Sequence, residues 1–275
     1  MTPATGSAEG SATDASPGLG NLLDELSWRG MLHDTTPGLP ARLASGRPIA
    51  GYNGFDPSGP SLHVGHLVPI FGLLQFQRHG GRPVTLLGGG TGMIGDPSGT
   101  SAERNLLDRE TLDANAVTIR TQLERFLDFD ASAGDRGALL VNNLDWLGQI
   151  GLIDWLRDVG KHFTIPYMLA KDSVQVRLDR GLSFTEFSYM LIQATDYEHL
   201  HRELGVDLQM GGADQWGNIT AGLELIRRRA GIEAGAADRG AEEPAADEIR
   251  HRLVEGGDPL AVDGQPALID RPASG

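Results

Sequence analysis

Residues 48–78 read PIAGYNGFDPSGPSLHVGHLVPIFGLLQFQR, and this stretch decides the fold. Its first five residues are a short apolar run that reads as a strand. A loop of Gly, Asp, Pro and Ser follows, and from about residue 65 to 78 apolar residues recur at helical spacing. A second strand is expected at 83–87, running into the glycine-dense GGGTGMIGDPSG.

The alternation continues outward from there. A long amphipathic stretch covers about 102–129, with Leu106, Leu107, Ile119, Leu123 and Phe126 at helical spacing. A strand is expected at 138–141, helices near 150–162 and 167–178, and a long helix at 184–204. A strand at 207–210 and a helix at 214–229 complete the set. Strands alternating with helices predict an α/β fold, a parallel sheet covered on both faces with ligands at the strands' carboxyl ends.

Composition bounds the rest. A chain of 275 residues, 40% hydrophobic and 22% charged, can bury a sizeable core as one large or two small domains. Against 23 basic residues stand 37 acidic ones, a net charge of −14, which argues against a broad nucleic-acid or anionic-membrane surface. It leaves room for a small basic site. Cysteine is absent, which excludes disulfides, thiolate metal sites and a cysteine nucleophile. No apolar run reaches the roughly 18 residues a membrane helix needs. The N-terminal residues have neither a basic start nor an apolar stretch, so a cytoplasmic protein without a signal peptide is expected.

The charge is unevenly spread. Residues 1–20 are mostly Gly, Ala, Ser, Thr and Pro and read as a disordered extension. Residues 231–275 carry ten acids against four arginines and read as a low-complexity acidic tail, disordered or aberrant, of the kind out-of-frame reading of a GC-rich gene would give. The segment 21–230 between them is the expected folded domain. Lys161 and Lys171 are the only lysines in the chain.

Four places carry residues suited to chemistry. In Leu62-His63-Val64-Gly65-His66-Leu67, two histidines three apart share a face at a helix start, where unpaired N–H groups and positive potential suit a phosphate chain. Two surface histidines on an amphipathic helix are the plain alternative, and a metal pair would need further ligands. The loop 88–99 carries Asp96, with Arg104 just beyond; it is no Walker loop, because no Gly-Lys-Ser/Thr follows. In the stretch 183–196, Tyr189, Gln193 and Asp196 stand at i, i+4 and i+7 on one helical face. A phenol, an amide and a carboxylate make a poor core stripe and a good polar lining for a small ligand. The fourth, Gly211-Gly212-Ala213-Asp214-Gln215-Trp216-Gly217-Asn218, lies at a strand-to-helix junction.

Together with LLDELSWRG and LRDVGKHF, these stretches resemble the bacterial tyrosyl-tRNA synthetase family almost continuously from residue 21 to 229. The resemblance implies a Rossmann-like doubly wound parallel sheet and an enzyme, a tyrosine–tRNA ligase. Such an enzyme activates L-tyrosine with ATP to tyrosyl-adenylate and pyrophosphate, then transfers tyrosine to tRNA(Tyr). It implies that Tyr52 and Asp196 bond the substrate's phenolic hydroxyl, and that Tyr189, Gln193 and Asp96 hold its α-ammonium group. His63 and His66 would contact the ATP phosphates, with Gly65 between them and Gly54 against the adenylate. Asn53, Gly212, Asp214 and Gln215 would lie near the ribose and reacting carboxylate, and Asp56 and Arg104 near the reaction centre. ATP is then a substrate accompanied by Mg²⁺, no resident metal or other cofactor is expected, and the family's homodimer would form through about 146–178.

Two departures stand out. Thr100 occupies a position where several relatives have a lysine. The family's mobile Lys-Phe-Gly-Lys-type loop cannot be present, because no lysine follows Lys171. The reading is a chain truncated before that loop and before the RNA-binding domains, with impaired activity and weakened tRNA contact. A catalytically dead tyrosine- or nucleotide-binding dimer and a tryptophanyl-type relative are the alternatives.

Overall fold

A computed structural model describes residues 18–94, 108–130, 134, 136–171, 174–175, 178, 181–237 and 260–264. Six strands form its sheet: β1 (Asp34–Thr35), β2 (Ala50–Phe55), β3 (Arg82–Leu87), β4 (Leu139–Asn142), β5 (Val206–Gly212) and β6 (Leu260–Gly264). They lie in the order β1-β6-β5-β2-β3-β4, all neighbours parallel except β1 with β6. The chain builds outward from β2 through β3 to β4, then returns to the other side of β2 with β5. This reversal opens a crevice at the carboxyl ends of β2 and β5, where open α/β sheets hold their ligands.

Nine helices cover the sheet among the described residues: α1 (Leu22–Trp28), α2 (Leu39–Ala44), α3 (Leu67–Arg78), α4 (Arg109–Leu123), α5 (Leu144–Leu147), α6 (Leu152–Asp158), α7 (Ile165–Leu169), α8 (Phe184–Leu204) and α9 (Trp216–Ala237). On one face Phe55 and Leu208 pack with Leu26 of α1, Ile70, Leu73 and Phe76 of α3, and Ile119 and Leu123 of α4. On the other, Tyr52, Val84 and Leu86 pack with Tyr197 and Leu200 of α8 and Ile219 and Leu223 of α9. Each large apolar side chain fully buried in this way contributes about 1.5–3 kcal/mol. Helices are therefore bound to both faces, as the alternation predicts.

The bounds of α8 follow from its ends. Ser183 and Glu186 form a reciprocal capping box, and Gly205 closes the helix in the left-handed region at φ 63°. Behind α8, a β-carbon at Gly222 of α9 would come within 2.7 Å of the Tyr197 ring, so the helices approach closely only because that residue is glycine.

Several expected bounds shift. The first strand starts at Ala50, not 48, and runs on to Phe55. Asn53 and Gly54 are weak strand formers, but pairing with β3 extends the ladder through them. Where the helix was expected to start at 65, a 3-10 turn at Val64–His66 precedes α3. The stretch 102–129 yields only α4, started by the Asp108 side chain accepting from the Thr111 amide; residues 102–107 lie outside the described set. The segment 231–275, read as a low-complexity acidic tail with room for a short helix at about 246–254, contributes the last turns of α9 and strand β6 between β5 and β1; residues 246–254 lie outside the described set.

Candidate functional site

A cavity of about 390 Å³ occupies the crevice. The ends of β2 and β5, the first turns of α3 and the inner face of α8 line it. At its closed end stands Asp196, 1% exposed. Its Oδ2 accepts from Asn143 Nδ2 at 2.9 Å and its Oδ1 from Trp146 Nε1 at 2.8 Å. Burial pushes the carboxyl up to about 7, against the pull of these two donors, and Asp56 adds to the rise.

Near Asp196 lies Tyr52, whose hydroxyl is buried without a hydrogen-bond partner among the described residues. Burial, then Asp196, then Tyr197 raise its pKa well above the usual phenol range, so it stays protonated. The other buried side-chain atom without a partner among the described residues is Gln209 Oε1, on the β5 residue in register with Tyr52. Buried polar groups are nearly always paired, and orphans grouped in one cleft mark where a ligand's polar group belongs. A ligand hydroxyl at this end would meet a donor in Tyr52 and an acceptor in Asp196.

A polar network ties this end to the rest of the cleft. Asn143 Oδ1 accepts from the Gly90 amide at 2.7 Å, and its Nδ2 also reaches Thr91 Oγ1 at 3.0 Å. Thr91 donates to Asp56 Oδ1 at 2.9 Å, and the Tyr189 hydroxyl lies 3.4 Å from Asp56 Oδ2. A β-carbon at Gly88 would fall 1.8 Å from Asp56 Oδ1, so only glycine admits the carboxylate there. Across the cleft, Asn218 donates to Gln193 Oε1 at 3.0 Å and to Gln215 Oε1 at 3.2 Å, while Gln215 Nε2 donates to Asp214 Oδ2 at 3.1 Å.

At the open end, both histidines present the same edge. His63 Nδ1 accepts from the Gly65 amide and His66 Nδ1 from the His63 amide, each at 3.1 Å. An accepting ring nitrogen carries no hydrogen, so in the neutral form each ring's proton sits on Nε2. Burial and then His63 lower the His66 pKa, which keeps that ring neutral at pH 7. The rings lie 3.9 Å apart, and the space beside Gly65 is taken by the His63 ring, 2.9 Å from where a β-carbon would be.

Of the expected site residues, Tyr52, Asn53, Gly54, Asp56, Gly65, His66, Tyr189, Gln193, Asp196, Gly212, Asp214 and Gln215 all line the one cavity. His63 does not line it; it is exposed, its ring tilted 38° against that of His66. Asp96 and Arg104 lie outside the described residues. Sequence reasoning missed Thr91, Asn143, Trp146 and Gln209. The pair Asn142-Asn143 after β4 offered the one local signal, a polar strand-to-helix junction like those after β2, β3 and β5.

Comparison with known proteins places this geometry. A family model described as "tRNA synthetases class I (W and Y)" matches residues 44–237, more than half of the chain. The chain belongs to that family. The tyrosine–tRNA ligase of Anaeromyxobacter dehalogenans strain 2CP-1 is 59% identical over 211 residues, 77% of this chain and 49% of that protein. That of Roseiflexus castenholzii is 56% identical over 215 residues, 78% of this chain and 50% of that one. The chain thus spans about half the length of the curated relatives it matches.

Among solved structures, a C-terminally truncated mitochondrial tyrosyl-tRNA synthetase of Coccidioides posadasii superposes with a TM-score of 0.71 at 28% identity, covering 92% of this chain and 69% of its own. The Plasmodium falciparum tryptophanyl-tRNA synthetase shares the fold at a TM-score of 0.52 and 14% identity, covering 92% and 62%. The Rossmann-like sheet with helices on both faces is the fold of this class I family.

Proposed function

We propose that the crevice binds L-tyrosine and ATP and forms tyrosyl-adenylate, the first half-reaction of a tyrosine–tRNA ligase whose second substrate is tRNA(Tyr). The observation that carries this is the buried hydroxyl of Tyr52, partnerless among the described residues, near the carboxyl of Asp196 at the closed end of a cavity sized for an amino acid. Phenylalanine would leave the Tyr52 hydroxyl buried and unpaired, an expected cost of about 1–3 kcal/mol, and would bring Asp196 no donor beyond Asn143 and Trp146. Tyrosine supplies a partner to both Tyr52 and Asp196.

Activation needs no general base. A carboxylate oxygen of tyrosine attacks the α-phosphorus of ATP, the new O–P bond forms in line with the bond that breaks, and pyrophosphate leaves with the electron pair. The protein's work is positioning and stabilising charge on the phosphoryl oxygens. His66 Nε2–H, at the start of α3, is placed to donate to such an oxygen; Gly54 leaves open space where an adenylate can approach the backbone. The acidic oxygens of Asp56 and Asp214 in the cleft fit Mg²⁺ carried on the ATP phosphates, which supplies charge neutralisation when bound.

Tyrosine-dependent ATP–pyrophosphate exchange tests the reading. The expected result is exchange that requires tyrosine and falls in His66→Ala. Exchange supported equally by tryptophan would contradict it.

One observation favours a second reading, a tyrosine-binding protein with little turnover. Among the described residues lining the cleft there is no Lys or Arg, while Asp56, Asp196 and Asp214 are all present. Tight tyrosine binding without exchange would select it. Under either reading we assign the protein to a homodimer in the cytoplasm. The dimer is supported by Leu152, Ile153 and Leu156 on α6 and Ile165 on α7, all exposed large apolar side chains. Sedimentation equilibrium would check it, a monomer at micromolar concentration counting against. No helix among the described residues is long and apolar enough to cross a membrane.

A further inference from the structure

Trp146 is held from two sides by residues of one helix. Its indole N–H donates to Asp196 at 2.8 Å. Its ring face is covered by the imidazole of His199, three residues further along α8, with ring centroids 4.3 Å apart and planes 15° from parallel. Residues i and i+3 share a face of a helix, so Asp196 and His199 grip the edge and the face of the same indole.

The chemistry of that contact is specific. An indole fixed only by one hydrogen bond could swing about it, and the N–H would then leave the carboxylate that the cleft presents to its ligand. A flat ring stacked on the indole removes this freedom. Burial, ahead of the Arg202 charge, lowers the pKa of His199, so the stack at neutral pH joins two uncharged rings. His199 is half-buried, does not line the cavity and has no role in the activation chemistry derived above.

We infer that His199 is a positioning residue for recognition of the ligand's phenol: by stacking on Trp146 it aims the indole N–H at Asp196 and so fixes the carboxylate that reads the hydroxyl. This rests on the tyrosine reading of the cleft. It separates a specificity role from a merely structural one, because the effect must fall on the hydroxyl and not on the rest of the amino acid.

Equilibrium binding of L-tyrosine and L-phenylalanine, by calorimetry on the full chain, tests it with two variants. His199→Leu keeps the volume and removes the flat ring; it should weaken tyrosine binding roughly three- to tenfold, the worth of an aromatic pair, and leave phenylalanine binding unchanged. His199→Phe restores a flat ring and should bind tyrosine as the wild type does. Melting temperatures of the three proteins establish that each is folded. Equal tyrosine affinity in wild type and His199→Leu overturns the inference while the tyrosine reading stands. So does an equal loss for both amino acids, or failure of His199→Phe to rescue. A wild type that binds neither amino acid overturns the tyrosine reading and this inference with it.

Discussion

The two ends of the cleft are built on different principles. At the closed end, Asp196 is buried and held by two side-chain donors, and Tyr52 lies near it with a hydroxyl that no described residue satisfies. At the open end, the histidines are oriented by backbone amides alone, His63 is exposed, and the nearest carboxylates would repel a phosphate chain unless a cation came with it. The closed end has its groups in place before a ligand arrives, whereas the open end needs charge from elsewhere to do chemistry. Recognition and turnover are thus separable in this chain, and substitutions can weaken either without the other.

The largest effect should come at the closed end. Asp196→Asn replaces a group with two acceptor oxygens by one that presents an amide to donors already pointing at it. Tyrosine affinity is expected to fall about a hundredfold, the cost of leaving a buried polar group unpaired, while phenylalanine affinity changes little. Calorimetric titration measures both. An Asn variant that still prefers tyrosine would break the contrast between the ends.

Next comes the open end. Removing the His66 Nε2 donor in His66→Ala should lower the tyrosine-dependent exchange rate about tenfold, the worth of one hydrogen bond to a charged oxygen, with tyrosine affinity unaltered. Exchange at the wild-type rate would remove His66 from the phosphate site. Smaller again is Gly54→Ala. A β-carbon at this position meets no protein atom within 4 Å, so the variant should keep its melting temperature. It should lose affinity for ATP a few-fold, roughly 1 kcal/mol, because the methyl occupies space the nucleotide needs. A drop in melting temperature with ATP binding intact would show that Gly54 serves the fold instead.

How much of this was legible beforehand depends on how local the signal was. The helix Phe184–Leu204 was readable to the residue because its capping box and its terminal glycine are written in adjacent positions. The spacing of Tyr189, Gln193 and Asp196 likewise gave their common face, and all three line the cavity. Trp146 was not readable and Asn143 was marked only by the polar pair it forms with Asn142, since each meets Asp196 across 50 residues or more of chain. Strand β6 was missed for a related reason: five residues of Leu-Ala-Val-Asp-Gly in an acidic stretch have little strand preference, and the pairing with β5 and β1 supplies the rest.

The raised pKa of Asp196 gives the comparison its finest test, on stability instead of binding. Its carboxyl titrates near 7 in the folded protein and in the ordinary carboxylate range when unfolded. Between roughly pH 4 and 7 the folded state therefore holds a proton that the unfolded state has released, so this residue's contribution falls as pH rises across that window and is level above it. Asp196→Asn cannot titrate. Relative to wild type the variant should gain roughly 3 kcal/mol of stability between pH 4.5 and pH 8, because the cost of its misdirected amide is the same at both pH values and cancels in the difference. Urea unfolding of both proteins at the two pH values reads the difference. If the difference is the same at both, the carboxylate is ionised throughout, and its two donors outweigh the burial that sets the closed end apart.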